Sequence, residues 1–379
     1  MTTITVVHLI TDLYSGGAEA MLTKLVTTSG HPHFRHVVVS MIDDGAFGAP
    51  LRAAGVTVYR LEMPRGRPRL RALPQLLAIL RRERPVLLQT WMYHADLLGL
   101  LIAPFFGRLP VVWNIRASDM DMAKYSRLSA WTLRACARLS PFPRAVVVNS
   151  LAGKVFHVRS GYHPREWALI PNGFDMHAYG PDSAARAVIR AELGFGDDDI
   201  VIGLIARLDP MKDHPTFLRA AALLAARLPH ARFLLAGRGV TADDPGLRRL
   251  LAAGDLTAKV RLLGERRDIP QLMAALDIAS LVSTYGEGFP NVIGEAMACE
   301  IPCVVTAVGD AATIVADTGR VVPMRDPKAL AAAWQHLAEM SREERRAIGV
   351  RARQRIAEQY GLNRIVERYE TLYARLARR

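Results

Sequence analysis

Glu287-Gly-Phe-Pro-Asn-Val-Ile-Gly-Glu295, continued by Ala-Met-Ala, comes just after the apolar run Asp277-Ile-Ala-Ser-Leu-Val-Ser283. The apolar run has the length and character of a buried parallel strand. Val292 to Cys299 reads as the start of a helix. Pro290 suits the first turn, because the N–H it lacks would be unpaired there. The order is strand, glycine-rich loop, helix. Open α/β sheets bind ligands at such loops, outside the carboxyl ends of their strands. Backbone N–H groups and the helix dipole favour an anion such as a phosphate there. Glu287 lies in the loop, and Glu295 lies just over one turn into the helix.

Two carboxylates facing a diphosphate would repel it. They suit neutral hydroxyls on either side of the phosphates, the layout of a nucleotide-sugar. The plainer reading is a surface loop with a helix-capping glutamate. An acid, seven residues and a second acid around Gly-Phe-Pro-Asn resembles the signature of the family-4 retaining glycosyltransferases with the GT-B fold. The resemblance implies two Rossmann-like α/β domains facing a deep cleft, with a last helix crossing back to the first domain. It implies an acceptor-binding domain over 1–175, to which 361–379 return, and a donor-binding domain over 176–360.

At 379 residues the chain is long enough for two full cores, and half of it is apolar. The longest apolar candidate, Leu97 to Phe106, is too short to span a bilayer and contains Pro104. The first residues read as a strand rather than a signal peptide, which leads to the expectation of a cytoplasmic protein. Cys136, Cys299 and Cys303 make no disulfide framework and no zinc set; buried free thiols are the expectation. The net charge of +13 is carried mainly by arginine. No nucleic-acid-reading motif accompanies it, so nucleic acid is not expected as a partner.

Strand-like runs at Ile4–Ile10, Val37–Met41, Val56–Leu61, Val86–Thr90, Val111–Ile115, Ala145–Asn149 and Ala168–Ile170 alternate with amphipathic stretches such as Ala18–Thr28 and Ala72–Arg84. That alternation predicts a doubly wound parallel sheet. Gly16 and Gly17, between the first strand and helix, allow close backbone approach to a ligand. They do not form the dinucleotide fingerprint G-x-G-x-x-G. They resemble the family's Gly-Gly loop, which packs near donor phosphates and acceptor. Glu19 either takes part or only complements the helix N-terminus.

Arginines from Arg65 to Arg84 concentrate charge around one helix. Lys124, Arg127, Arg134, Arg138 and Arg144 do so again, beside Leu128, Trp131 and Leu133. An anionic bilayer, at the inner face of the membrane, and a solvated helix face are both open readings. His94 and Asn114 with Arg116 follow the fourth and fifth strands. Relatives often carry a histidine after the fifth; here Asn114 and Arg116 occupy that area. His94 either supplies an imidazole from the neighbouring loop or is an ordinary packed residue. Arg116 suits an acidic acceptor, a phosphate, or pairing with Asp119 or Asp121. Ile170-Pro-Asn172-Gly-Phe-Asp175 reads as turn chemistry at the entry to a linker.

In the second half, Arg207 and Lys212 flank a short loop after a strand and can converge on one anion. The resemblance implies that they hold the donor diphosphate and offset leaving-group charge. It assigns Glu287 to sugar hydroxyls and Glu295 to the ribose. The donor site would also comprise Gly16, Gly17, Gly264, Gly288, Phe289, Pro290, Asn291 and Val292. His94, Asn114 and Arg116 would meet the acceptor. Val305 to Asp310 ends a strand where a glycine-rich loop often approaches the sugar. From Pro327 the chain turns helical, broken at Tyr360-Gly361, and Asn363 to Arg378 has an apolar face at helical spacing.

These readings imply a retaining hexosyltransferase in cell-surface polysaccharide or glycolipid assembly. It would use a nucleoside diphosphate-sugar and a glycan or lipid-linked acceptor, with no cofactor and no metal. A sugar-nucleotide epimerase or hydrolase on the same scaffold is the alternative enzyme. A non-catalytic nucleotide-sugar-binding assembly protein is the alternative outside catalysis, favoured by Asn114.

Overall fold

The computed structural model describes residues 3–14, 16–30, 33–64, 71–107, 109–118 and 127–378. The expected arginine run Arg65–Arg71 therefore lies outside it up to Leu70, as do Asp119, Asp121 and Lys124. The chain divides into two compact units: Met1–Gly173 with Leu362–Arg379, and Phe174–Gly361.

The first unit holds a parallel sheet of β1 (Ile4–Ile10), β2 (Phe34–Ser40), β3 (Thr57–Arg60), β4 (Leu87–Trp91), β5 (Val111–Ile115), β6 (Ala145–Val148) and β7 (Trp167–Leu169), in the order β3-β2-β1-β4-β5-β6-β7. β1 reads Ile-Thr-Val-Val-His-Leu-Ile and is covered on both faces, which is why it lacks polar alternation. One face carries Val7, Leu9, Leu88, Trp113 and Val146 against the intervening helices. The other carries Val6, Leu87, Val112 and Val147 against the helix Leu362–Ala377. That last helix buries Ile365, Val366, Tyr369, Leu372, Tyr373 and Leu376. The apolar spacing read in the sequence is the spacing of this buried stripe.

The second unit repeats the plan with β8 (Ile200–Ile205), β9 (Ala231–Ala236), β10 (Val260–Leu262), β11 (Ile278–Leu281), β12 (Cys303–Thr306) and β13 (Gly319–Val322). The order is β10-β9-β8-β11-β12-β13. In both sheets the first strand lies between the second and the fourth. The crossover direction therefore reverses between β1 and β4, and again between β8 and β11. The loops after those strands diverge and leave a crevice.

Sequence reading placed β1 and β5 at their observed ends. β2 starts earlier than expected, because Phe34 to His36 already pair with Ile4 to Val6. Pro290 caps its helix, Asn291–Ala298, from outside instead of occupying the first turn. All three cysteines are buried and free. Among the described residues no helix is long and apolar enough to cross a membrane.

The first core contains an unusual polar seam. His8 Nε2 and His36 Nδ1 are 2.9 Å apart, and the Trp91 indole N–H donates to His8 Nδ1 at 3.3 Å. Tyr373 on the last helix donates to Gln89 beneath it. Burial pulls His8 well below the usual imidazole range and His36 down to about 4. Burial likewise brings His157 and His214 to about 4. The unfolded chain takes up protons near pH 6.5 while these folded rings stay neutral down to about pH 4. Stability is therefore full above pH 6.5 and falls as pH drops through that window. Each such histidine costs about 2 kcal/mol by pH 5. Thermal melting from pH 7.5 to pH 5 is expected to show a steep fall in midpoint; a flat profile would contradict it.

Candidate active site

β8 and β11 are neighbours in the second sheet, and the loops leaving them hold the second crevice. After β8 the chain passes Arg207 and Asp209 into a short 3-10 turn, Pro210–Lys212. The Asp209 carboxylate accepts from the Met211 N–H at 3.0 Å and so starts that turn. It also pairs with Arg207 at 2.9 Å. Burial alone would raise the Asp209 carboxyl, but the Met211 N–H and the Arg207 guanidinium outweigh it and hold it below the usual range. Arg207 itself is about half exposed, at 48% of its side chain.

Lys212 extends from the turn to the Glu287 carboxylate, an ion pair in which the two side chains are only 14% and 9% exposed. The Ser283 hydroxyl donates to the same carboxylate oxygen, Oε1, at 2.6 Å. Thr306, ending β12, donates to the Ser283 carbonyl at 2.6 Å. The Thr284 N–H donates to the Met211 carbonyl at 2.9 Å, which stitches the two loops together. A third loop supports them from β12. Gly309 has φ +59°, and a Cβ there would stand 2.4 Å from the Glu287 carbonyl oxygen. Only glycine fits both that conformation and that approach. The Asp310 N–H then donates to the Gly288 carbonyl at 2.9 Å.

The helix Asn291–Ala298 begins at this point without a side-chain cap. Its far end is held by Arg353, whose guanidinium donates to the carbonyls of Ala298, Tyr179 and Met176. Gly294 faces the Phe174 ring so closely that a Cβ would overlap it at 2.1 Å. Phe289 and Pro290, expected in the donor site, have buried side chains. The Phe289 ring lies between Phe174, at 6.0 Å, and Tyr360, at 5.2 Å. Their contribution to the crevice is thus backbone; the rings anchor the loop to the core. Glu295 is half-buried and bonded to the Tyr179 hydroxyl, whose ionisation is pushed up chiefly by burial and then by that carboxylate.

Gly264 has φ +65°, and its carbonyl accepts from the Gly237 N–H at 2.7 Å. Gly237 in turn lies against the Ala206 carbonyl, where a Cβ would come within 2.1 Å. The ends of β8, β9 and β10 are thereby pulled together beside Arg207. His214, just after the Lys212 turn, is 1% exposed and neutral at ordinary pH.

In the first unit Ile10 pairs with Trp91 across β1 and β4, so the Gly16-Gly17 loop and His94 leave the first crevice side by side. Gly16 caps the helix Gly17–Thr28, and Glu19 folds back so that its carboxylate occupies the space a Gly16 side chain would need. His94 sits in the first turn of the helix Tyr93–Ile102, and partial burial lowers its pKa.

Asn114 and Arg116, expected to meet the acceptor, both reach the hydroxyl of Tyr369 on the last helix. Asn114 is 0% exposed and donates to the Tyr369 hydroxyl at 3.0 Å. Arg116 donates to the same hydroxyl and to Asn172, and lies 5.2 Å over the Trp91 ring. Both side chains tie β5 to the last helix. Sequence reading missed Ser283, Thr306 and Tyr179 as members of the second crevice. Serine and threonine at strand ends carry no distinctive signal, and Tyr179 joins from outside the motif. Among the described residues no group of three or more His, Cys, Asp or Glu could hold a metal ion.

Residues 15–178 match the sequence profile of glycosyltransferase family 4, and residues 199–340 that of the glycosyl transferases group 1. The chain belongs to glycosyltransferase family 4. This family-4 chain is 29% identical to EpsF of Bacillus subtilis over 190 residues, which are 48% of each chain. It is 31% identical to the D-inositol 3-phosphate glycosyltransferase of Kineococcus radiotolerans over 235 residues, 57% of this chain and 53% of that one. The chain thus matches about half the length of these curated relatives. Among solved structures, HepE of Anabaena in complex with UDP superposes with a TM-score of 0.84 at 25% identity, over 98% of this chain and 100% of that one. HepE has also been solved with UDP-glucose. The fold is GT-B.

Ser283 donates a buried hydrogen bond to a charged acceptor. Its loss in Ser283→Ala is expected to lower the unfolding free energy by about 2 kcal/mol. Denaturant unfolding followed by circular dichroism measures this; an unchanged midpoint would show that the bond contributes nothing.

Proposed function

We propose that this chain transfers a sugar from a nucleoside diphosphate-sugar to an acceptor hydroxyl, with retention at the anomeric carbon. The observation that carries the reading is the meeting of Lys212 and Glu287 at the crevice between β8 and β11. A cation for phosphate and an acceptor for hydroxyls stand in contact there. HepE, bound to UDP and UDP-glucose in its solved structures, supports a uridine nucleotide as the first donor to test.

In this reading the donor diphosphate competes for the Lys212 ammonium, and Arg207 turns from Asp209 to fork two phosphate oxygens. The start of the helix Asn291–Ala298 adds its dipole to the same charge. Glu287, held by Ser283, accepts from donor-sugar hydroxyls. Glu295 exchanges its bond with Tyr179 for a ribose hydroxyl. The backbone around Gly264 meets the base. The anomeric C–O bond breaks with its electron pair going to the β-phosphate oxygen. The acceptor oxygen bonds to the same carbon on the same face and gives its proton to the leaving phosphate. The basic pair offsets the departing charge without a metal. Neutral His94, beside the Gly16-Gly17 loop, accepts a hydrogen bond from the acceptor. Asn114 and Arg116 support that region through Tyr369. The acceptor is a glycan or a lipid-linked sugar in cell-surface polymer or glycolipid assembly.

Lys212→Ala and Glu287→Ala are each expected to reduce turnover by roughly a hundredfold or more, matching about 3 kcal/mol for one lost charge-stabilising contact. Nucleoside diphosphate release across a panel of donors, with and without acceptor extracts, is the measurement. Parent-like turnover in both variants would refute the assignment. Product that forms equally well without acceptor would instead mark an epimerase or hydrolase.

A further inference from the structure

The Asp209 carboxylate divides its two oxygens between different tasks. Oδ1 accepts the Met211 N–H at 3.0 Å and starts the turn Pro210–Lys212. Oδ2 accepts the Arg207 Nε–H at 3.0 Å and lies 2.9 Å from Arg207 Nη2. Nη2 also donates to the Met211 sulfur at 3.4 Å. Met211 is itself fixed, because its carbonyl accepts from the Thr284 N–H. Its methyl packs against Gly286, where an added Cβ would stand 3.0 Å away. Arg207 is therefore held by an acid and a sulfur that the two loops keep in place.

That hold is weaker than the one a phosphate offers. A guanidinium is gripped best when two N–H groups meet two separate oxygens. Asp209 has only Oδ2 to give, since the backbone of the turn has taken Oδ1. A thioether sulfur is a weak acceptor. Both charged side chains also reach water, at 48% and 27% exposed, and ion pairs this wet contribute little on their own. The Lys212–Glu287 pair is different, with both side chains mostly buried and Ser283 bonded to the acid.

Asp209 does not give way by losing its charge. Although burial opposes it, the Met211 N–H and the Arg207 guanidinium hold its carboxyl below the usual range. An anion thus remains beside the one guanidinium that the diphosphate would fork.

We infer that Asp209 is a positioning residue for Arg207 that competes with the nucleoside diphosphate for its guanidinium and so weakens the hold on that product. The inference rests on the transfer reading and deepens it. The donor draws Arg207 away from Asp209, and the arginine offsets charge as the diphosphate departs. Once the sugar has moved, Asp209 Oδ2 takes the arginine back and the nucleoside diphosphate loses a partner. A purely structural acid, there only to start the turn, would act with the opposite sign. Removing it would loosen the loop and weaken binding, whereas removing a competitor tightens binding.

Asp209→Asn keeps an oxygen for the Met211 N–H and removes the charge. Asp209→Ser is a second uncharged variant with an oxygen suited to the same N–H. Titration calorimetry of the full chain with UDP, GDP and ADP measures affinity, and inhibition of turnover by the same nucleotides gives a second reading of it. Both variants are expected to bind the preferred nucleoside diphosphate roughly three- to tenfold more tightly than the parent. Its inhibition constant is expected to fall by the same factor. In an Arg207→Ala background most of that gain is expected to disappear, because the competition needs the arginine. Melting temperatures close to the parent's would show that the variants remain folded. Binding that is unchanged or weaker in both uncharged variants, while the parent binds, would overturn the inference and leave the transfer reading standing. A gain that persists in full without Arg207 would assign the effect to charge alone and overturn it too. A parent that binds none of the three nucleotides and turns over no donor would overturn the transfer reading, and the inference with it.

Discussion

The contact between the Lys212 ammonium and the Glu287 carboxylate is the constraint around which the second unit is arranged. Both groups are mostly withdrawn from water, and such withdrawal costs several kcal/mol per ion unless the remaining lone pairs are met. The fold meets them. Ser283 supplies a hydroxyl, Thr306 fixes the Ser283 backbone, and Gly309 lets a third loop close against the Glu287 carbonyl. Removing either ion would strand the other. A pair of this kind does little for net stability by comparison with an apolar pair of equal volume. Its value lies in geometry: it sets where a positive and a negative group stand relative to the crevice.

The first unit solves a different problem. Its sheet needs a cover on the face carrying Val6, Leu87 and Val112, and the cover comes from the helix Leu362–Ala377. Apolar packing supplies most of the attraction. Tyr369 and Tyr373 supply register, through Asn114, Arg116 and Gln89. Beneath them the His8–His36 pair stays neutral by burial, so the seam is quiet at neutral pH.

Much of this was legible in the sequence. Continuous apolar runs marked β1 and β5, since a strand covered on both faces has no polar side to interrupt it. The strand, loop and helix around Glu287 could be read because glycine, proline and acid occur at fixed offsets there. The pairing of Asn114 with Tyr369 could not be read. Its partner lies 255 residues away along the chain, and an asparagine after a strand looks the same whether it faces a ligand or a tyrosine. The burial of Phe289 was equally hidden: an aromatic in a glycine-rich loop can face outward or anchor the loop inward, and only Phe174 and Tyr360 decide between the two. Ser283 was invisible for the opposite reason, being one ordinary serine among many.

The division of the chain has a consequence for biosynthesis. Residues Phe174–Gly361 form one continuous unit, whereas the unit that begins first also needs Leu362 onward. A growing chain would therefore complete its middle before its beginning. Until the last turns emerge from the ribosome, one side of the amino-terminal sheet has no lid, and Leu87, Val112 and Val147 stay wet. The usual order, in which the earliest-made domain matures first, is reversed here, and a chaperone that holds nascent apolar surface would find its longest-lived target in the part synthesised earliest.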